Sequence, residues 1–260
     1  STPVESLMAW NGPASTKMFG AASTVIYDCT ASGIASSSLT SLTNARWQWC
    51  NMTTSAGAFL VICNGADAVR NYNGSAWSTP SITNVSSSDL IHVNLHKKRL
   101  WFVQKDTTKV WYLPVDAIAG AATAFELGSN FDLGGHLVAM ATWTMDYGSG
   151  PDDYAVFISS QGQVAVYQGT DPASPLTWSI VGVFNLAKPI GRRCFARFGS
   201  SPVLITVSGV LQLSMALQAD KAQLTATALT NRISNAINTV ARSYDDLFGW
   251  EVAIYPRGTQ

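Results

Sequence analysis

Charge is the scarcest thing in this sequence. Only 12% of its 260 residues are Asp, Glu, Lys or Arg, about half the usual share of a globular chain. Sixteen basic residues balance sixteen acidic ones, for a formal net charge of zero. A sequence-independent grip on nucleic acid needs a basic excess to neutralise phosphates, so it is not expected here. A long disordered tail is not expected either, because 47% of the residues are hydrophobic and no block of like charge occurs. No apolar run approaches 18 residues, which leaves no membrane-spanning helix and no membrane anchor. The opening Ser1–Trp10 carries Glu5 and lacks a basic start with a long apolar run, so it does not read as a signal peptide. The absence of an initiator Met suggests that the first residues of the gene product are missing or processed.

Cysteine is nearly as sparse. Cys29, Cys50, Cys63 and Cys194 are separated by 21, 13 and 131 residues, which matches no zinc-ligand spacing. Cys50 and Cys63 fall where neighbouring strands could carry them, so a bridge is one possibility. Four reduced, mostly buried thiols is the other, and the expected one, because Cys packs well as a small hydrophobe. A surface with so little charge is poorly protected against association. It suits a protein whose surface is covered by neighbours, and the composition leans towards an assembly component.

What the sequence does have is a repeat. Five times, a short β-branched or aromatic run is followed by a turn and a second such run. The pairs are Met18–Ala21 with Val25–Cys29, Phe59–Cys63 with Val69–Tyr72, and Leu100–Val103 with Val110–Leu113. Tyr154–Ile158 with Val164–Tyr167 and Val203–Thr206 with Val210–Leu213 complete the set, and the starting points lie 41, 41, 54 and 49 residues apart. Turn chemistry such as Asn64-Gly65, Asp106-Thr107-Thr108, Gln161-Gly162 and Ser208-Gly209 separates the arms. Hairpins at this period predict a β-propeller. Flanking runs supply the outer strands: Trp47–Met52 and Ser78–Thr83, Ile91–Leu95 and Ala124–Leu127, Leu137–Trp143 and Trp178–Phe184. Blades stacked against each other bury both sheet faces, which accounts for apolar runs that do not alternate, such as Phe59–Cys63. The step out of the third strand recurs too, as Tyr72-x-Gly74-x-x-Trp77 and as Tyr167-x-Gly169 with Trp178. There the Gly turns the chain and the aromatics wedge between blades; the competing role for the rings is sugar stacking.

One stretch departs from the pattern. Between Met215 and Tyr244, Leu229, Ile233, Ile237, Val240 and Ala241 recur at steps of three and four, an amphipathic helix stripe with Thr230 as a candidate cap. Asn231, Arg232, Asn235, Asn238 and Arg242 fall on the other face. Trp250–Tyr255 then reads as the first arm of a sixth hairpin. The sequence therefore predicts an all-β fold over residues 1–260, a propeller of four-stranded blades. Five blades are recognisable and a sixth is begun, with one helical insertion at about 215–246, centred on 220–244, in a fragment of a longer chain. The N-terminal strand Leu7–Trp10 is free to pair with the last blade, or Trp250–Tyr255 to close onto the first.

Several segments resemble a known family. They are Asn64–Asp67, His96–Val103, Val110–Pro114, Val164–Pro172 and Pro189–Arg193. Together they are similar to the propeller-bearing tail proteins of short-tailed bacteriophages and prophages, known as packaged-DNA stabilisation, tail tubular or tail nozzle proteins. The resemblance runs from about Leu7 to Gln260. It implies a virion structural protein of the tail or head–tail junction, assembled in the bacterial host cytoplasm. It also implies a ring of copies (a hexamer), neighbouring tail or head–tail adaptor proteins as partners, and transient contact with the genomic duplex DNA.

Chemistry-bearing constellations are few. The acidic stretch Asp146–Asp153, with Asp152 and Asp153 adjacent, fits a blade-connecting loop better than a cation site or a glycosidase pair. The nearest echo of a sialidase box, Gly169–Trp178, has the wrong spacing. His92 and His96 lie on a strand, about 13 Å apart, too far to share an ion. No nucleophile elbow and no phosphate loop occurs. No catalytic residue, metal ligand or cofactor is expected. The basic clusters are His96-Lys97-Lys98-Arg99 and Arg192-Arg193 with Arg197, read either as solvated turns or as contacts to a neighbouring subunit or passing DNA. The helical stripe Leu229, Ile233, Ile237 and Val240 packs either on its own propeller or on another protein. The competing function is a propeller module that binds host-surface glycans through exposed Trp or Tyr.

Overall fold

The computed structural model describes residues 2–146, 151–199, 201–218 and 223–253. The fold is an all-β propeller of five successive up-and-down antiparallel sheets with one short helical region. The chain divides into two compact units, Ser1–Glu126 and Leu127–Gln260.

The first unit holds three four-stranded sheets. In chain order they are Val4–Asn11, Thr16–Ala22, Val25–Asp28 and Ser36–Leu39; then Gln48–Thr54, Gly57–Cys63, Arg70–Tyr72 and Trp77–Ser78; then Leu90–His96, Arg99–Gln104, Lys109–Tyr112 and Thr123–Glu126. Every predicted hairpin forms at its place. The strand Gly57–Cys63 shows why its apolar run does not alternate. Ala58, Leu60 and Ile62 pack into a core with Phe19, Ile26 and Trp47 of the first sheet's side. Phe59, Val61 and Cys63 pack into a second core with Val93, Leu100 and Phe102 of the third sheet. Successive side chains point to opposite faces, and each face has a neighbour to bury against.

Polar groups lock these sheets together. Ser6 Oγ accepts from the Trp47 amide at 2.9 Å, and Asn51 Nδ2 donates to Ala9 O at 2.8 Å. The turn at Asn64 is closed by its own side chain, which accepts from the amides of Ala66 and Asp67, while Asp67 accepts from the Thr43 amide and hydroxyl. This turn is structural. In the first sheet Lys17 Nζ donates to Asp28 at 2.7 Å, and that bond, with the Thr30 contacts, lowers the Asp28 carboxyl from 3.8 to about 2. A depressed folded value stabilises above the unfolded value and is lost as pH falls. The contribution is therefore complete above about pH 5 and disappears towards pH 2. Lys17 is one-third exposed, so screening holds the pair to about 1 kcal/mol or less. Lys17→Met should remove that part of the acid dependence, measured by urea melts between pH 2 and 6.

The second unit holds a four-stranded sheet, Leu137–Asp146, Pro151–Ser159, Gln163–Gly169 and Trp178–Asn185, and a three-stranded one, Phe195–Phe198, Ser201–Thr206 and Gly209–Gln212. Val156, Ile158, Val164 and Val166 of the one share a core with Leu204 and Leu211 of the other. The fifth sheet lacks a fourth strand because the chain turns into the helical turn Leu213–Ala216. Residues 228–230 stand in for it. The Leu229 amide donates to Val210 O at 2.9 Å, and the Val210 amide donates to Thr230 Oγ1 at 3.1 Å.

Four details differ from the sequence expectation. Val4–Asn11 pairs with Thr16–Ala22 as the first strand of its own sheet, not with the last blade. The expected Ser78–Thr83 strand is two pieces: Trp77–Ser78 closes the second sheet, while Ile82–Thr83 pairs in parallel with Gly120–Ala121. Pro80, which cannot donate to a ladder, lies between them. The helical insertion is not one helix. Among the described residues it comprises Leu213–Ala216, Leu224–Thr227, a tight turn Asn231–Ile233 and the helix Ser234–Tyr244. Finally, residues 250–253 form no strand. Trp250 and Val252 instead pack beside Ile190, Ile205 and Ala241, so no sixth hairpin begins there; the rest of that expected strand lies outside the described residues.

Candidate functional site

The apolar stripe is built on a weak helix. Ser234–Tyr244 contains two Asn and a Thr, and Ile233 at its N-cap makes no side-chain capping bond. Eleven residues of this kind would not stay helical alone in water. Tertiary contacts hold them. Ala241 is buried against Ile190 and Ile205, and the Trp250 indole N–H donates to Tyr244 O at 2.7 Å, satisfying one orphan carbonyl of the last turn. Thr230 is not the expected side-chain cap; its hydroxyl is taken by the Val210 amide.

Docking through Ala241 leaves the stripe itself in the open. Leu229, Ile233 and Val240 are 51%, 54% and 42% exposed, and Ile237 is half-buried. Tyr244, four residues beyond Val240, and Leu247 are also more than half exposed; the first was legible from its spacing and was not part of the predicted set. Arg242 and Asp245 line an open depression of about 390 Å³ with Val207, Ser208, Thr225 and Asn238.

The basic clusters are placed differently. Arg193 is committed within the chain: its guanidinium lies 3.0 Å from Glu251 and 4.9 Å from the centre of the Phe248 ring. It anchors the segment that follows the helix. Arg192 is half-buried beside it, and Arg197 is exposed on the strand Phe195–Phe198. In the first unit, Lys97 and Lys98 occupy the two-residue turn between Leu90–His96 and Arg99–Gln104, both left-handed at φ 45° and 59°. Such a turn favours Asn-Gly. Arg99 lies 5.6 Å over the Tyr112 ring. Lys97→Asn with Lys98→Gly should stabilise the unit by about 1 kcal/mol, because L side chains resist this conformation. A higher melting temperature would show it.

Of the acidic stretch 146–153, residues 147–150 lie outside the described residues, and Asp153 accepts from the Thr144 hydroxyl at 2.6 Å across the strand pair. His92 and His96 share the strand Leu90–His96; His96 is buried, its ring edge-on to Trp101. Among the described residues no cluster of three or more His, Cys, Asp or Glu is arranged to hold a metal, and no helix is long and apolar enough to cross a membrane. The four cysteines are unbridged. Burial pushes the Cys50 and Cys194 thiols up to about 12, so neither is a nucleophile at neutral pH. Of the nine tryptophans only Trp49 is more than a third exposed, and its indole donates to Leu7 O.

No family model matches the sequence, and no curated protein does. Among solved structures, the chain is similar to a protein of unknown function from Bacteroides caccae, at 12% identity and a TM-score of 0.45, over 79% of this chain and 71% of that one.

Proposed function

We propose that the chain is a non-enzymatic structural protein of a bacteriophage tail or head–tail junction. In this role it sits in the virion as one of a ring of copies, beside tail or adaptor proteins, and forms part of the conduit that retains and then passes the genome. The observation that carries the proposal is the exposure of Leu229, Ile233 and Val240, on and just before a helix whose one fully buried residue is the small Ala241. Large apolar side chains exposed close together in the chain are what a protein–protein contact uses. Low charge supports the same role, since a passage for sliding DNA is better without strong phosphate contacts.

Ile233→Lys with Val240→Lys tests it. Both side chains are exposed, at 54% and 42%, so the purified chain should keep its stability to within about 1 kcal/mol. Assembly with the tail proteins encoded beside it, followed by co-purification from infected or induced cells, should fail. Normal assembly by the variant would remove the stripe from the proposal. Selective binding on a glycan array without any assembly would overturn it in favour of a glycan-recognising module.

A further inference from the structure

We infer that two copies of this chain pair edge to edge, antiparallel, through the outer strand of the fourth sheet, Trp178–Asn185. The surface is distinct from the helical stripe, and the inference does not depend on the phage reading.

The strand's inner side is fully engaged. It pairs with Gln163–Gly169 from Gln163↔Asn185 to Gly169↔Trp178, with one bulge at Val181. It is the last strand in its sheet, and among the described residues no strand pairs with its other side. From Ser179 to Asn185 its outward N–H and C=O groups therefore offer a template for another extended backbone.

The other sheets close on short or covered strands, and their long edges are first strands; the eight-residue Val4–Asn11 is engaged there, since its Leu7 and Ala9 carbonyls accept from Trp49 and Asn51 and its Asn11 amide donates to Asn51. Their outer strands are Ser36–Leu39, Trp77–Ser78 and Thr123–Glu126, none longer than four residues. The first is mostly serine, and the last ends in Glu126 beside Lys109. The fifth sheet's edge is occupied by residues 228–230. Among the described residues, the fourth sheet alone closes on a strand of eight residues.

The side chains favour a second copy as the occupant. Ile180, Val181 and Val183 are 43%, 49% and 37% exposed. No Asp, Glu, Lys or Arg occurs between Asp171 and Lys188, and the strand contains no Pro. Lysine, proline, inward charge and bulges are the usual guards of an open edge, and this one has only the single bulge at Val181. A strand paired antiparallel with its own copy closes about a two-fold axis, so each open donor meets an acceptor and the contact ends at two chains. Neutral β-branched residues then face their like without charge repulsion.

Analytical ultracentrifugation of the whole chain tests the inference. The wild type should sediment at twice the 27.8 kDa chain mass, falling to one chain on dilution. Val183→Lys alone and Val183→Glu alone should each sediment as one chain with an unchanged circular dichroism spectrum, and a mixture of the two should recover the dimer. Ile233→Lys with Val240→Lys should remain dimeric. Amide exchange of 179–185 in the wild type should slow as concentration rises, a readout that needs no variant. A wild type that stays monomeric throughout, a Val183→Lys variant that still dimerises, a charge-swapped mixture that stays monomeric, or exchange independent of concentration would each overturn it.

Discussion

Gly169→Ala is expected to cost about 3 kcal/mol or more, a large share of the stability of any single domain. Gly169 closes the third strand of the fourth sheet at φ 129°, a backbone conformation that L side chains rarely adopt. A Cβ there would overlap the Thr177 carbonyl, which is backbone and already accepts from the Thr170 amide at 3.0 Å. Neither strain nor overlap can be relieved by a rotamer change. The neighbouring stack of Tyr167 on Trp178, with ring centres 5.7 Å apart and nearly parallel, would be prised open as the strands separate. Denaturant unfolding of the variant measures the cost; a loss below about 1 kcal/mol would show that the turn can re-form another way. Gly74, the matching residue of the second sheet, also has positive φ, and a Cβ there would meet the Trp10 ring at 2.7 Å. A side chain has more freedom to move than a carbonyl, so Gly74→Ala should be the milder of the two.

Trp101→Ala should cost about 3–5 kcal/mol. The indole is buried in the second strand of the third sheet, 4.9 Å from the Tyr112 ring and 6.3 Å from Phe125, with His96 edge-on. Removing it leaves a void lined by rings too rigid to collapse. Calorimetry should show a lowered transition, and Trp101→Phe should recover more than half of the loss by refilling most of that volume.

The repeated hairpins were legible because strand period and turn chemistry agreed. Phe59–Cys63 is apolar at every step, and Asn64-Gly65 follows it at once. The recurring Tyr-x-Gly with a following Trp was legible for the same reason, and both glycines have the positive φ that such a turn needs. The helical insertion was half legible. Its steps of three and four placed Leu229, Ile233, Ile237, Val240 and Ala241 on one face. Spacing alone could not show that Leu229 is tied by its amide to Val210, which ends the helical run before Ile233. Nor could it show that Ala241, the smallest member of the stripe, is the one that docks. Trp250 looked like a strand residue because aromatics favour strands; a free helix terminus within reach of its N–H decided otherwise. The outer strand Trp178–Phe184 was recognisable as a strand, but whether an edge is covered depends on what lies beside it in space. Arg193 read as a surface cation for the same reason, since Glu251 is remote from it in sequence.

The strand Gly57–Cys63 works as a party wall. Leu60 and Val61 are covalent neighbours, yet each belongs to a different core. Damage at either should therefore stay in its own room: the losses from Leu60→Ala and Val61→Ala should add, as those of distant sites do. Leu60→Ala combined with Phe19→Ala, residues far apart in the chain but in the same core, should deviate from additivity. In a protein built this way, energetic neighbourhood runs between facing sheets, within one room, and skips every second residue along the chain.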